Sequence, residues 1–106
     1  MTSVDQLLEA LIEAAPALQI VTDEHVREYG ELLTHVLFGD VTRWLAANPQ
    51  PAALAVLEQS FVTGDEDTRN LIAVSFVENI GPGPEYAALR EALGPKLRAL
   101  WSAMYN

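Results

Sequence analysis

The chain has 106 residues, half of them hydrophobic and none of them cysteine, which suits one packed domain over 1–106 and excludes disulfides, thiolate nucleophiles and thiolate zinc sites. Fifteen acids against six Lys and Arg give a formal net charge of −9, which repels phosphate backbones and favours a basic partner over nucleic acid. No apolar run approaches the ~20 residues of a membrane helix, and the start MTSVDQLLEA lacks the basic opening and apolar core of a secretion signal, so a soluble cytoplasmic protein is expected.

Ser3 followed by Gln6 is a capping-box pattern, and Val4, Leu7, Leu8, Leu11, Ile12 and Ala15 recur behind it at helical spacing. This predicts a first helix that stops before Pro16. Thr22 or Asp23 can cap a second helix to about Leu37, with Val26, Tyr29, Leu33, Val36 and Leu37 on its buried side. Gly30 falls on the same side and is read as a point of close helix approach. Phe38 and Gly39 are expected to break that run, with Asp40 capping a short third helix that carries Val41, Trp44 and Leu45.

NPQP at 48–51 is a proline turn that places Pro51 in the first turn of a fourth helix, buried through Leu54, Leu57, Phe61 and Val62. Gly64 suits the left-handed position after it. In GDEDTRNLIAVSFVENIG, residues 64–81, Asp65 then caps a fifth helix, and Glu66 and Asp67 sit in its first turn, where carboxylates are favoured. The body from Leu71 to Ile80 leaves only Ser75, Glu78 and Asn79 as a polar strip, so this helix is expected to be central. GPGP at 81–84 ends it; a sixth helix over Pro84–Leu93 and a seventh over Pro95–Tyr105 complete the chain. No segment alternates with period two. The fold class is all-α, a compact array of six or seven short helices, with HEAT-like antiparallel pairing as a variant.

The acids are patterned. Asp5, Glu9 and Glu13 stack at i, i+4 and i+8 opposite the leucines of the first helix, and Glu24, Glu28, Glu31 and His35 fall along one line of the expected second helix. Like charges at that spacing cost about 0.2–0.5 kcal/mol per pair. Residues 1–40 hold eight acids and one base, a net of −7, whereas residues 81–106 hold two acids and three bases, a net of +1. Two readings fit: a solvated face that keeps an apolar-rich domain soluble, or a surface that meets a cationic one. On the second, Asp5, Glu9, Glu13, Glu24, Glu28, Glu31 and His35, joined by Asp65, Glu66 and Asp67, are the candidate partner-binding residues.

Nothing points to catalysis, a cofactor or a metal. His25 and His35 lie on different parts of a helix surface, and Glu31 with His35 at i, i+4 supplies too few ligands for a metal, though pairing would favour the imidazolium. No Gly-rich loop, nucleophile elbow or partnered histidine accompanies the acids, and Ser60 and Ser75 sit within helical patterns. Arg43 is expected to pair locally with Asp40, and Arg69 with Asp65, Glu66 or Asp67. Trp44 and Trp101 are expected in the core or at its edge.

FGDVTRWL at 38–45, DEDTRNLIAVSFVENI at 65–80 and LGPKLRALW at 93–101 resemble a family of small acidic helical bacterial proteins associated with the immunity proteins of polymorphic toxin systems. The resemblance covers roughly residues 30–101. It implies a cytoplasmic inhibitor that occludes the active site or substrate groove of a cognate toxin with a basic surface. Asp40, Arg43, Trp44, Arg69 and Asn70 match the family pattern and are read as structural. Two other readings remain: a non-enzymatic helical adaptor or regulatory module for a basic protein, and a small metal-dependent hydrolase using His35.

Overall fold

Ser3 Oγ accepts the Gln6 N–H at 3.2 Å while Gln6 Oε1 accepts the Ser3 N–H at 2.9 Å, so the capping box closes. The helix it opens, α1, runs over Val4–Ala14. Ala15, held out of the helical region by the ring of Pro16, ends it. The computed structural model describes residues 1–105 as seven helices. Among these residues there is no strand, only an isolated parallel bridge between Thr2 and Gly64.

α2 spans Leu18–Tyr29 and α3 spans Thr34–Ala47, so the expected helix to Leu37 is in fact two. Gly30 causes the division. It takes the left-handed conformation at φ 75° as the C-terminal cap of α2, and no neighbouring atom lies where its Cβ would be. It is therefore a terminator rather than a point of close approach. Thr22 lies inside α2, its hydroxyl donating back to Leu18 O at 2.8 Å. In α3 the backbone continues straight through Gly39 and Asp40, because fully buried Leu37, Phe38, Val41 and Leu45 lock that helix onto the core from both sides of the glycine.

α4 covers Pro51–Thr63, opening on its proline as expected. Gly64 behind it is extended, at φ −72° and ψ 154°, and not left-handed. Its role is steric, since a Cβ there would stand 2.4 Å from Ser60 O. α5 covers Glu66–Leu71, with Asp65 Oδ1 accepting the Thr68 N–H at 2.8 Å as its cap. The chain then widens into a π-helical turn over Ile72–Val77, which buries Ile72, Ser75, Phe76 and Val77 together. Ser75 thus leaves the expected polar strip and enters the interior.

Pro84–Tyr86 form a 3₁₀ turn that leads into the short α6, Ala87–Ala92, so the expected sixth helix comes in two pieces. Arg90 holds the GPGP stretch by donating to Gly81 O and Gly83 O, each at 2.7 Å. α7 covers Pro95–Tyr105. One core joins every helix: Leu7 and Leu11 of α1, Leu18 of α2, Phe38 of α3, Leu57 of α4, Phe76 of the π turn, Leu89 of α6 and Leu97 of α7. Burying each such side chain contributes about 1.5–3 kcal/mol before entropy. α1 lies on α4 and α5, and α3 lies on the π turn and α6, so helices distant in sequence share this interior.

Candidate functional site

The acids of residues 5–31 are all exposed. Asp5, Glu9 and Glu13 follow α1, as their spacing requires. The second row does not survive: Glu24 and Glu28 share α2, Glu31 lies in the turn after Gly30, and His35 belongs to α3. The bridge between Thr2 and Gly64 sets the starts of α1 and α5 side by side, which brings Asp5 to the same end of the molecule as Asp65, Glu66 and Asp67. Among the described residues Arg43 pairs with Asp40 as expected, and no acid from Asp5 to Glu31 has a basic partner.

Asp65 differs from the other candidate partner-binding acids because it caps a helix. Hydrogen bonding from Thr68, first through its hydroxyl and then through its backbone N–H, holds the Asp65 carboxyl below its ordinary range. That hydroxyl has one proton and Thr2 O lies 3.0 Å from it as a competing acceptor, which leaves the backbone N–H at 2.8 Å as the fixed contact. Arg69, expected to pair with these acids, instead lies over the Phe61 ring, 5.3 Å from its centroid. No ion pair joins it to them among the described residues.

His25, not among the residues expected on the buried side of the second helix, is 1% exposed. Its Nε2 accepts the Leu33 N–H at 2.9 Å, which fixes the proton on Nδ1 and points that atom at Asp40 Oδ2, 3.9 Å away. That gap is too long for a hydrogen bond, and among the described residues Nδ1 has no other partner. Tyr29 leans on the same ring, with centroids 4.8 Å apart. The turn between α2 and α3 is therefore clamped onto α2. The sequence held one signal for this: His25 falls seven residues after Leu18, two turns along the same buried stripe.

His35 makes no ion pair with Glu31 among the described residues. Its Nδ1 hydrogen-bonds the hydroxyl of Ser75, forty positions away on the π turn. The Ser75 carbonyl accepts from Asn79 Nδ2 at 2.7 Å, which replaces the backbone donor an α-helix would supply, and the Thr42 hydroxyl, donating chiefly to Phe38 O at 2.6 Å, lies 3.3 Å from the same carbonyl. The stretches 38–45 and 65–80 thus meet along the seam between α3 and the π turn. Ser75 is 4% exposed, so its hydroxyl ties the two elements together rather than facing solvent. Among the described residues no three His, Asp or Glu side chains converge on a metal-sized site, and no helix is long and apolar enough to cross a membrane.

A family described as a domain of unknown function (DUF7674) matches residues 8–106. The chain belongs to this family. No curated protein and no solved structure matches it.

In this DUF7674 domain the surface beside His25 is apolar where the periodicity predicts core. Val26, Tyr29, Leu32 and Val36 are between 38% and 45% exposed. Leu32, Leu33, Thr34, His35 and Val36 line a shallow cleft of about 390 Å³. Sequence reasoning placed Val26, Tyr29 and Val36 on a buried face because all three keep the helical period. Among the described residues nothing covers the outer side of the end of α2 and the turn after it, so each of these side chains keeps more than a third of its surface open to solvent.

Proposed function

We propose that this chain is a non-catalytic binding protein that captures a basic protein in the cytoplasm, and that the partner is a toxin whose active site or substrate groove it occludes stoichiometrically. The observation that carries the capture is the exposed acid set of residues 5–31, none of which is ion-paired among the described residues while residues 1–40 sum to −7. Each i, i+4 acid pair on α1 and α2 costs about 0.2–0.5 kcal/mol in the free protein. A cationic surface relieves that repulsion and is steered toward it, with association rates reaching ~10⁸–10⁹ M⁻¹s⁻¹ at low salt. A toxin that handles nucleic acid or anionic nucleotides needs such a surface, and an acidic inhibitor imitates its substrate's charge.

The toxin part of the reading draws on the resemblance of 38–45 and 65–80. A toxin-domain gene beside the gene for this chain supports it, and a basic partner without toxic activity replaces it with an adaptor role. The capture is tested with Glu24→Lys combined with Glu28→Lys. These residues are exposed and unpaired, so helix content should hold, while association with the basic partner slows sharply at low salt and the difference shrinks at high salt. An unchanged association rate removes α2 from the interface.

A further inference from the structure

We propose that the corner built from the end of α2, the turn 30–33 and the start of α3 is the docking surface for a partner segment in which large apolar side chains are flanked by Lys or Arg. The inference rests on the capture of a basic protein proposed above and names the chemistry of the captured segment. Ten large hydrophobic residues are exposed among the described residues, and four of them fall within residues 26–36. Singly scattered apolar residues need no explanation; a cluster beside a cleft marks an interaction surface. The cleft lined by Leu32 and Val36 offers a seat for an apolar anchor.

Charge decides the partner. Val26 has Asp23 one turn before it on α2 and Leu32 follows Glu31, and among the described residues neither acid has a basic partner, whereas Asp40, one turn after Val36 on α3, is neutralised by Arg43. Residues 23–43 carry five acids and two bases, a net of −3, and one of those bases, Arg43, is already spent on Asp40. An apolar patch rimmed in this way fits cations around a hydrophobic anchor and repels an acidic segment. The patch is also preformed: the hydrogen bond from Leu33 N–H to His25 Nε2 and the left-handed cap at Gly30 fix the turn, so little ordering is lost on docking.

The probe is a synthetic peptide of Leu and Lys patterned as an amphipathic helix, with a Lys and Ser peptide of equal charge as control. Amide NMR shifts are recorded on the intact chain and on Leu32→Ser combined with Val36→Ser, both exposed positions whose replacement should leave helix content unchanged. The expected result is that the Leu and Lys peptide shifts the amides of residues 26–36 and binds the double variant about tenfold more weakly. The control should bind weakly and salt-dependently to both proteins alike. If the Leu and Lys peptide maps to the α1 acids and binds the variant equally, the docking surface is overturned while acid capture stands. If neither peptide binds at low salt, acid capture fails and the docking surface falls with it. If residues 26–36 shift with protein concentration and no peptide, a second copy of this chain covers the corner and the proposal is overturned.

Discussion

The imidazole of His25 accepts the backbone N–H of Leu33 at 2.9 Å, closing an eight-residue loop around the end of α2. The two helices are held at a defined turn by one buried side chain, and the exposed corner depends on it. His25→Leu keeps the bulk but removes the acceptor, so the Leu33 N–H loses its partner. The expected destabilisation is about 1–3 kcal/mol, read by chemical denaturation, and hydrogen exchange at the Leu33 amide should speed up more than exchange in α7. A variant with wild-type exchange at Leu33 would show that the turn holds itself.

At the other end of the chain Glu58 of α4 caps α7. Its carboxylate oxygens accept the N–H groups of Lys96 at 2.8 Å and Leu97 at 3.0 Å, where the helix dipole favours negative charge. Gly94 makes room for it, since a Cβ there would lie 2.6 Å from the Glu58 carboxyl carbon. Glu58→Ala should cost about 1–2 kcal/mol. Gly94→Ala should cost a similar amount by pushing the carboxylate off its seat, yet close to nothing in the Glu58→Ala background. The double-mutant cycle measures that coupling, and additive losses would argue against the displacement.

What the sequence disclosed follows from the range of the forces involved. The starts of α1, α4 and α5 were legible because a capping box, a first-turn proline and Asp65 act within one turn. The division between α2 and α3 was not, because Val26, Tyr29, Leu33 and Val36 keep the helical period across it. What breaks the helix there is the conformation of Gly30 and a bond to His25 eight residues back. Ser75 on the π turn meets His35 from another helix, a contact that no local pattern encodes. In the candidate site, the exposure of the acids could be read from their charge. The apolar corner could not, because periodicity reports which residues share a face and not whether anything covers it.

Two glycines give opposite forecasts. Gly64 is hemmed in on two sides: an added Cβ would meet the backbone Ser60 O at 2.4 Å and the buried side-chain methyl Thr68 Cγ2 at 2.9 Å. Neither can retreat without disturbing α4 or the Thr2 bridge, so Gly64→Ala should cost about 2–3 kcal/mol or more. Gly39 lies inside α3 with Arg43 Nη1 at 3.7 Å and Asn79 Nδ2 at 3.9 Å from its would-be Cβ, ordinary contact distances. Gly39→Ala should therefore stabilise the fold by up to about 1 kcal/mol through helix propensity. Thermal unfolding of the two variants side by side decides it, and a destabilising Gly39→Ala would mean that the seam between α3 and the π turn needs that space.

The depressed pKa of Asp65 gives a pH dependence of definite sign. The side chain and backbone N–H of Thr68 favour the charged carboxylate in the folded state, so the folded value lies below the unfolded value of 3.8. Above 3.8 both states are ionised and the cap contributes fully; as pH falls from there through the lower folded value, the unfolded chain takes up the proton first and the contribution disappears. Asp65→Asn keeps a capping oxygen without a titrating group. The variant should lose less stability than the wild type over that acid interval, while the two run parallel above it. Denaturation midpoints measured from about pH 2 to pH 6 test this, and identical acid limbs would mean that Asp65 titrates alike in both states.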